Sequence, residues 1–219
     1  MLRIILSALV VFFLCPLVSL ECRTEDYGHY VLYIPEGYSQ PNPRPLILVF
    51  SPGGDASGMI KTWQPVADRY AWFVLASKEF RNNQDTAPII TELIEVVRKL
   101  PEQFPVDEAR VAASGFSGGA MFSHSLSFMY PDIISAVVAN TGKIDDIYIQ
   151  RKAEYPKKKR VVFLASPADF RYEEMKRDRQ MLISQGWRTK WIEFPDGHAI
   201  APELSYMEAA AWLTEEWGE

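Results

Sequence analysis

The sequence predicts a three-layer α/β protein, a mostly parallel sheet of about seven to eight strands with helices on both faces and no lid domain. Three observations carry this. From His29 onward, short β-rich apolar runs alternate with longer runs of helical spacing. Most of the short runs are near-continuous hydrophobics, as strands covered on both faces are. One of them, Arg110 to Gly115, passes through a glycine-flanked serine turn into an apolar helix. With 219 residues and 48% hydrophobic content the chain can bury one core of ordinary size, so residues 21–219 are read as a single domain.

Taken in order, residues 1–20 come first. Met1-Leu2-Arg3 followed by the apolar run Ile4 to Leu20 has the charged start and greasy stretch of a signal peptide. An uncleaved N-terminal anchor is the alternative, although Ser7 and Pro16 interrupt the run and it is short for a membrane span. Either way the chain is expected to be exported, to the periplasm or beyond. Bulky neighbours before Cys15 and Cys22 argue against lipidation, and cleavage near Ser19 would leave Cys22 without an internal disulfide partner.

The strands expected next are 29–34, 46–50, 72–76, 110–115, 134–139, 160–165 and 189–194. Between them, Ile89, Ile90, Leu93, Ile94, Val97 and Leu100 recur at helical spacing behind Pro88, and Leu204, Met207 and Ala211 do so behind Pro202. Residues 173–185 form another helix, ended by Gly186, and 119–128 form the one after the serine turn. The run Lys157 to Arg160 reads as a solvated connection.

The chemistry concentrates at Gly115-Phe-Ser-Gly-Gly119. A strand that turns sharply into a helix lifts the serine hydroxyl clear of the sheet edge, and the flanking glycines remove the Cβ atoms that would collide there. Ser117 is the candidate nucleophile, and the N–H of Gly118, at the helix start, points to where an oxyanion would form. Of three histidines, His29 opens the first expected strand and His124 lies two turns down the helix from Ser117. His198 sits in Phe194-Pro-Asp-Gly-His198, a loop at the carboxyl edge where open α/β sheets place their sites, and is the candidate base. Asp169, leaving the preceding strand at the same edge, is the candidate for orienting it, with Asp196 as rival. The loop Ser51-Pro-Gly-Gly-Asp55 offers Gly53 or Gly54 as second oxyanion donor, since Pro52 has no N–H. Gly53 and Gly58 have phosphate-loop separation, but Met59 stands where the lysine belongs.

Residues Tyr33 to Tyr38, Val106 to Val111, Gly115 to Met121, Tyr130-Pro-Asp132 and Gly197-His198 together resemble the secreted esterases of the polyhydroxybutyrate-depolymerase and feruloyl-esterase type, within the α/β-hydrolase superfamily. The resemblance implies ester hydrolysis through an acyl-enzyme on Ser117, with no particular ester specified. Two departures stand out. Ser51-Pro52 replaces the usual His-Gly start of the oxyanion loop, and Ser166-Pro-Ala-Asp169 replaces the usual Gly-Thr-x-Asp acid loop.

The expected partner is a small or polymer-borne ester. The formal charge of -5, from 23 Lys and Arg against 28 Asp and Glu, argues against nucleic acid or an anionic membrane surface. No spacing of His, Cys and carboxylates suits a metal and no cofactor loop is evident, so neither is expected. Acyl transfer on the same residues and a silent binding protein on the same scaffold are the alternatives. The connection 141–159 is short and polar, with Asp145, Asp146, Lys157, Lys158 and Lys159, which predicts an open cleft, with Trp63 or Phe80 as candidates for its wall.

Overall fold

The computed structural model describes residues 23–36, 38, 42–151 and 159–218. The leader, both cysteines, Lys157 and Lys158 lie outside these residues. Among the described residues no helix is long and apolar enough to cross a membrane.

The chain runs β1 (Arg23–Tyr27), β2 (Tyr30–Ile34), β3 (Arg44–Phe50), α1 (Ala56–Tyr70), β4 (Phe73–Ser77), α2 (Ala87–Lys99), β5 (Val106–Phe116), α3 (Gly118–Met129), β6 (Ala136–Asn140), α4 (Asp146–Gln150), β7 (Arg160–Ala165), α5 (Tyr172–Ser184), β8 (Arg188–Glu193) and α6 (Glu203–Trp217). The strands form one eight-stranded sheet in the order β1-β2-β4-β3-β5-β6-β7-β8. From β4 to β8 every pairing is parallel, while β1 and β2 are antiparallel to their neighbours.

The period of two divides each central strand between two cores. Leu46, Leu48 and Phe50 of β3 face a cluster built with α2, α3 and α5, whereas Ile47 and Val49 face one built with α1 and α6. The seven expected strands are all present, each within a few residues of its expected bounds; those covered on both faces, β3, β4, β6 and β7, are near-solid apolar runs, whereas β8, at one edge of the sheet, is mostly polar. β1 was not foreseen. Its segment Arg23-Thr-Glu-Asp-Tyr27 is polar because it is an edge strand, tied to β2 through a turn at Gly28, whose N–H donates to Asp26 Oδ1 at 2.9 Å.

The four expected helices are present as α2, α3, α5 and α6, and two more, α1 and α4, join them. α1 was hidden by Gly58 and by Pro65 inside it. Gly58 is explained by its cap: Asp55 accepts the Gly58 N–H at 2.8 Å, and a Cβ there would lie 2.1 Å from that carboxylate. Trp63, expected at the cleft, is fully buried on α1, stacked on Trp72 at 6.3 Å and edge-on to Tyr206 at 5.1 Å. Its place in the run Met59, Ile60, Trp63, Val66, Ala67 is that of a core residue. The reading of the basic run as solvated also needs correction at its end. Lys159 Nζ donates to the carbonyls of Pro131 and Ile134, and Arg160 donates to the carbonyl of Glu216 at 2.7 Å, so both anchor chain segments.

Candidate active site

The carboxyl ends of β3, β5, β7 and β8 deliver the candidate residues to one edge of the sheet. Ser117 follows β5 with φ 54° and ψ -117°, a left-handed conformation that a side chain bearing Cβ adopts only under constraint. The constraint is visible around it. The Ser117 N–H donates to the carbonyl of Asn140 at 2.9 Å, while its own carbonyl accepts from Ala120 and Met121 in the first turn of α3. A Cβ on Gly119 would lie 2.1 Å from the Phe50 carbonyl oxygen, and one on Gly115 would lie 2.3 Å from Gly119 backbone. Strand and helix therefore cross at van der Waals contact, which only glycine permits at these two positions.

Ser117 Oγ lies 2.9 Å from His198 Nε2, and His198 Nδ1 lies 2.6 Å from Asp169 Oδ2. The Asp169 carboxylate is buried; its second oxygen accepts the Arg171 N–H at 2.7 Å, so both oxygens are engaged. The imidazole is partly open, with 28% of the side chain exposed, and packs against Phe116 and Phe170. Asp196, the rival acid, is exposed on the surface. The loop bearing His198 is pinned by Ser166, whose Oγ accepts the Gly197 N–H at 2.9 Å.

Asn140, at the end of β6, is a residue that sequence reasoning missed. It is fully buried; its Oδ1 accepts from the Ala201 N–H at 2.9 Å and the Tyr206 hydroxyl at 2.7 Å, and its Nδ2 donates to the Ala199 carbonyl at 3.1 Å. With the Ser117 N–H on its carbonyl, one residue ties the serine turn to the histidine loop. The one signal in the sequence was an asparagine directly following an apolar strand run, where a polar group that ends up buried needs partners.

At the oxyanion side, the Gly118 N–H begins α3 and so has no intrahelical acceptor. Of the two glycines after β3, Gly54 spends its N–H on the Ser51 carbonyl at 3.2 Å, with φ 76°. It also walls a separate cavity with Tyr33, Asp55 and Lys61. Gly53 forms an isolated bridge with Arg81, but among the described residues its N–H has only a 3.3 Å contact to Ser51 Oγ, and a Cβ there would meet nothing within 4 Å. Asn82, also missed by the sequence reading, lies beside Gly118: a Cβ on Gly118 would be 1.8 Å from its Oδ1.

A cavity of about 420 Å³ opens against Gly118, Met121 and Phe122 of α3. Phe80, Asn82, Asn83, Gln84, Asp145, Tyr148 and Arg171 also line it. Phe80, the other residue expected near the cleft, lines this cavity while packing into the core, stacked on Phe122 at 4.5 Å. His29 and His124 stand apart from this site: His29 faces Glu92 at 3.3 Å, and His124 is fully buried with its pKa pushed down to about 3 by that burial.

No family model matches the sequence, and no curated protein does either. Solved structures do match in fold. A thermostable esterase is 20% identical with a TM-score of 0.66, covering 90% of this chain; this chain covers 62% of that longer one. Esterase 2 of Thermogutta terrifontis, phosphoramylated by tabun, is 17% identical at a TM-score of 0.64, with 90% of this chain and 95% of that one covered. Fluorophosphonate-binding serine hydrolase F of Staphylococcus aureus is 10% identical at a TM-score of 0.67, with 88% and 97% covered. The fold is the α/β-hydrolase fold.

Proposed function

We propose that the chain is a serine hydrolase that cleaves carboxylic esters through an acyl-enzyme. The observation that carries this reading is the connected set Ser117, His198 and Asp169, at 2.9 and 2.6 Å, on a strained serine turn. In the proposed reaction His198 Nε2 takes the Ser117 proton as Oγ attacks the ester carbonyl. The imidazolium that forms is held by the Asp169 carboxylate through Nδ1–H. Negative charge on the carbonyl oxygen is met by the N–H groups of Gly118 and Gly53. Collapse breaks the bond to the alcohol, which leaves with the proton from His198. Water, deprotonated by the same imidazole, then attacks the acyl-enzyme, and the acid departs as Ser117 regains its proton.

The open imidazole edge and the absence of an apolar helical flap among the described residues support a substrate reached from solvent, either a short-chain ester or one carried on a bulky alcohol or polymer. The charged start and apolar run of residues 1–20 support an exported enzyme. Two of the structurally similar proteins react with organophosphorus reagents: Thermogutta terrifontis esterase 2, phosphoramylated by tabun, and the fluorophosphonate-binding hydrolase F of Staphylococcus aureus. A fluorophosphonate probe is therefore the fitting test. Wild type should label and hydrolyse 4-nitrophenyl acetate or butyrate, and Ser117→Ala should do neither. Equal labelling of both proteins would remove Ser117 from the role.

A further inference from the structure

The cavity beside Gly118 is more positive than the protein around it. The chain carries a formal charge of -5, yet two arginines, Arg81 and Arg171, line this cavity against one carboxylate, Asp145. Two of these three side chains are tied to the backbone. Asp145 caps α4, accepting the Ile147 N–H at 3.1 Å, and Arg81 turns its guanidinium to the carbonyls of Lys78 and Glu79 at 3.2 and 3.0 Å.

Arg171 is placed differently. Its backbone N–H is fixed on the Asp169 carboxylate, so the side chain starts two residues from the group that orients His198. Its guanidinium lies over the Phe170 ring at 5.3 Å, and its one hydrogen-bond acceptor among the described residues is the thioether of Met121. Met121 lies one turn beyond Ser117 on α3. A guanidinium carries five N–H donors in a fork that fits a carboxylate, whereas a thioether is a weak acceptor and a π face neutralises only part of the charge. No carboxylate of the described residues pairs with it.

We propose that Arg171 is the specificity anchor for a carboxylate carried by the ester substrate, held in the 420 Å³ cavity next to the reacting carbonyl. The inference rests on the ester-hydrolase reading and adds the substrate class, a monoanionic ester. One guanidinium with no carboxylate partner among the described residues, in a cavity also lined by the uncharged carboxamides of Asn82, Asn83 and Gln84, matches a single negative charge. Arg81, by contrast, is held away from this role by its Nη1, which donates to two backbone carbonyls.

The test uses matched pairs of esters that differ in one charge. On the acyl side, mono-4-nitrophenyl adipate is compared with 4-nitrophenyl hexanoate; on the alcohol side, 4-acetoxybenzoate is compared with 4-acetoxybenzamide. The readout is the ratio of kcat/KM, anionic over neutral, in wild type, Arg171→Gln and Arg171→Lys. In the arm that matches the anchored side, Arg171→Gln should lower the ratio about ten- to a hundredfold, the range for a hydrogen bond to a charged group, and Arg171→Lys should keep part of it. Raising the ionic strength should shrink the wild-type ratio toward that of the Gln variant. A ratio within twofold of wild type in both arms overturns the proposal, as does an equal loss on both members of each pair, which would make Arg171 a mere support for the Asp169 turn. Fluorophosphonate labelling, which needs no carboxylate, is read on the same samples. Labelling and neutral-ester turnover without a charge preference sink the anchor alone, while their absence from wild type sinks the hydrolase reading and this one with it.

Discussion

A single dihedral angle at Ser117 separates the residue that does the proposed chemistry from the residue the backbone would prefer. At φ 54° the position suits glycine, and a residue with Cβ bears strain of about 1–3 kcal/mol there. Ser117→Gly and Ser117→Ala should therefore both be inactive, while the Gly variant unfolds at higher denaturant by about 1 kcal/mol of stability. Equal midpoints in urea titrations would show that the turn is not strained. Gly118 and Gly119 are also predicted to differ. An Ala at 118 meets the carboxamide of exposed Asn82, which can rotate away, whereas an Ala at 119 meets the Phe50 carbonyl and must move a strand. Gly119→Ala should lower the melting temperature well below that of Gly118→Ala, and a reversal of that order would refute the close-packing account. At the acid, Asp169→Asn should lower kcat by up to about four orders of magnitude and Asp196→Asn should cost little, since it is Asp169 that stands 2.6 Å from Nδ1. A larger loss at Asp196 would reverse the proposed assignment. These positions were legible because the serine turn announces itself by glycine spacing. Asn82 and Arg171 were not, since nothing in their local sequence indicates which cavity a loop will line.

Between elements, the decisive join is the one at Asn140. β6 ends there, and its last side chain carries three hydrogen bonds into the segment running from the histidine loop to α6, while its carbonyl receives the Ser117 N–H. Replacing it by Ala would leave the Ala201 N–H and the Tyr206 hydroxyl buried without an acceptor, at about 1–3 kcal/mol each. It would also release the distance between Ser117 and His198, where a misplacement of about 1 Å costs up to a hundredfold in rate. Asn140→Ala should thus lose stability and kcat together with KM little changed, checked by thermal unfolding and steady-state kinetics on one ester. Full kcat at reduced stability would make Asn140 structural only. The sequence could not show this join. Hydrophobic period identifies a strand and a helix separately, but the register that brings residue 140 against residues 199 to 206 is set by tertiary packing. The same limit explains α1 and β1: helical spacing in α1 is blurred by Pro65 and Gly58, and an edge strand has no reason to be apolar.

Over the whole molecule, stability rests on two apolar layers pressed against one sheet, and such a core tolerates few polar groups. Its central strands were readable because both faces are covered, which leaves β3, β4, β6 and β7 with little room for polar residues. His124 is one of those few polar groups. It sits on α3 facing Phe163 at 5.7 Å, fully buried, with neither ring nitrogen hydrogen-bonded among the described residues. Desolvation penalises the imidazolium and pushes its pKa from about 6.5 down to about 3. The folded value lies below the unfolded one, so between these pH values the unfolded chain binds more protons. The stability is complete above about pH 6.5 and is lost as the pH falls toward the folded value, at about 1.4 kcal/mol per unit. Between pH 6.5 and 4.5 this one side chain should cost the protein about 2–3 kcal/mol. Carboxylates titrate over part of the same range, which is why the comparison must be with a variant. In urea titrations at pH 7.0 and 4.5, His124→Leu should lose less stability than wild type by about 2 kcal/mol, whatever its absolute stability. Parallel losses in the two proteins would mean that the imidazole finds a proton acceptor in the folded core, and the acid sensitivity of the fold would then belong to its carboxylates alone.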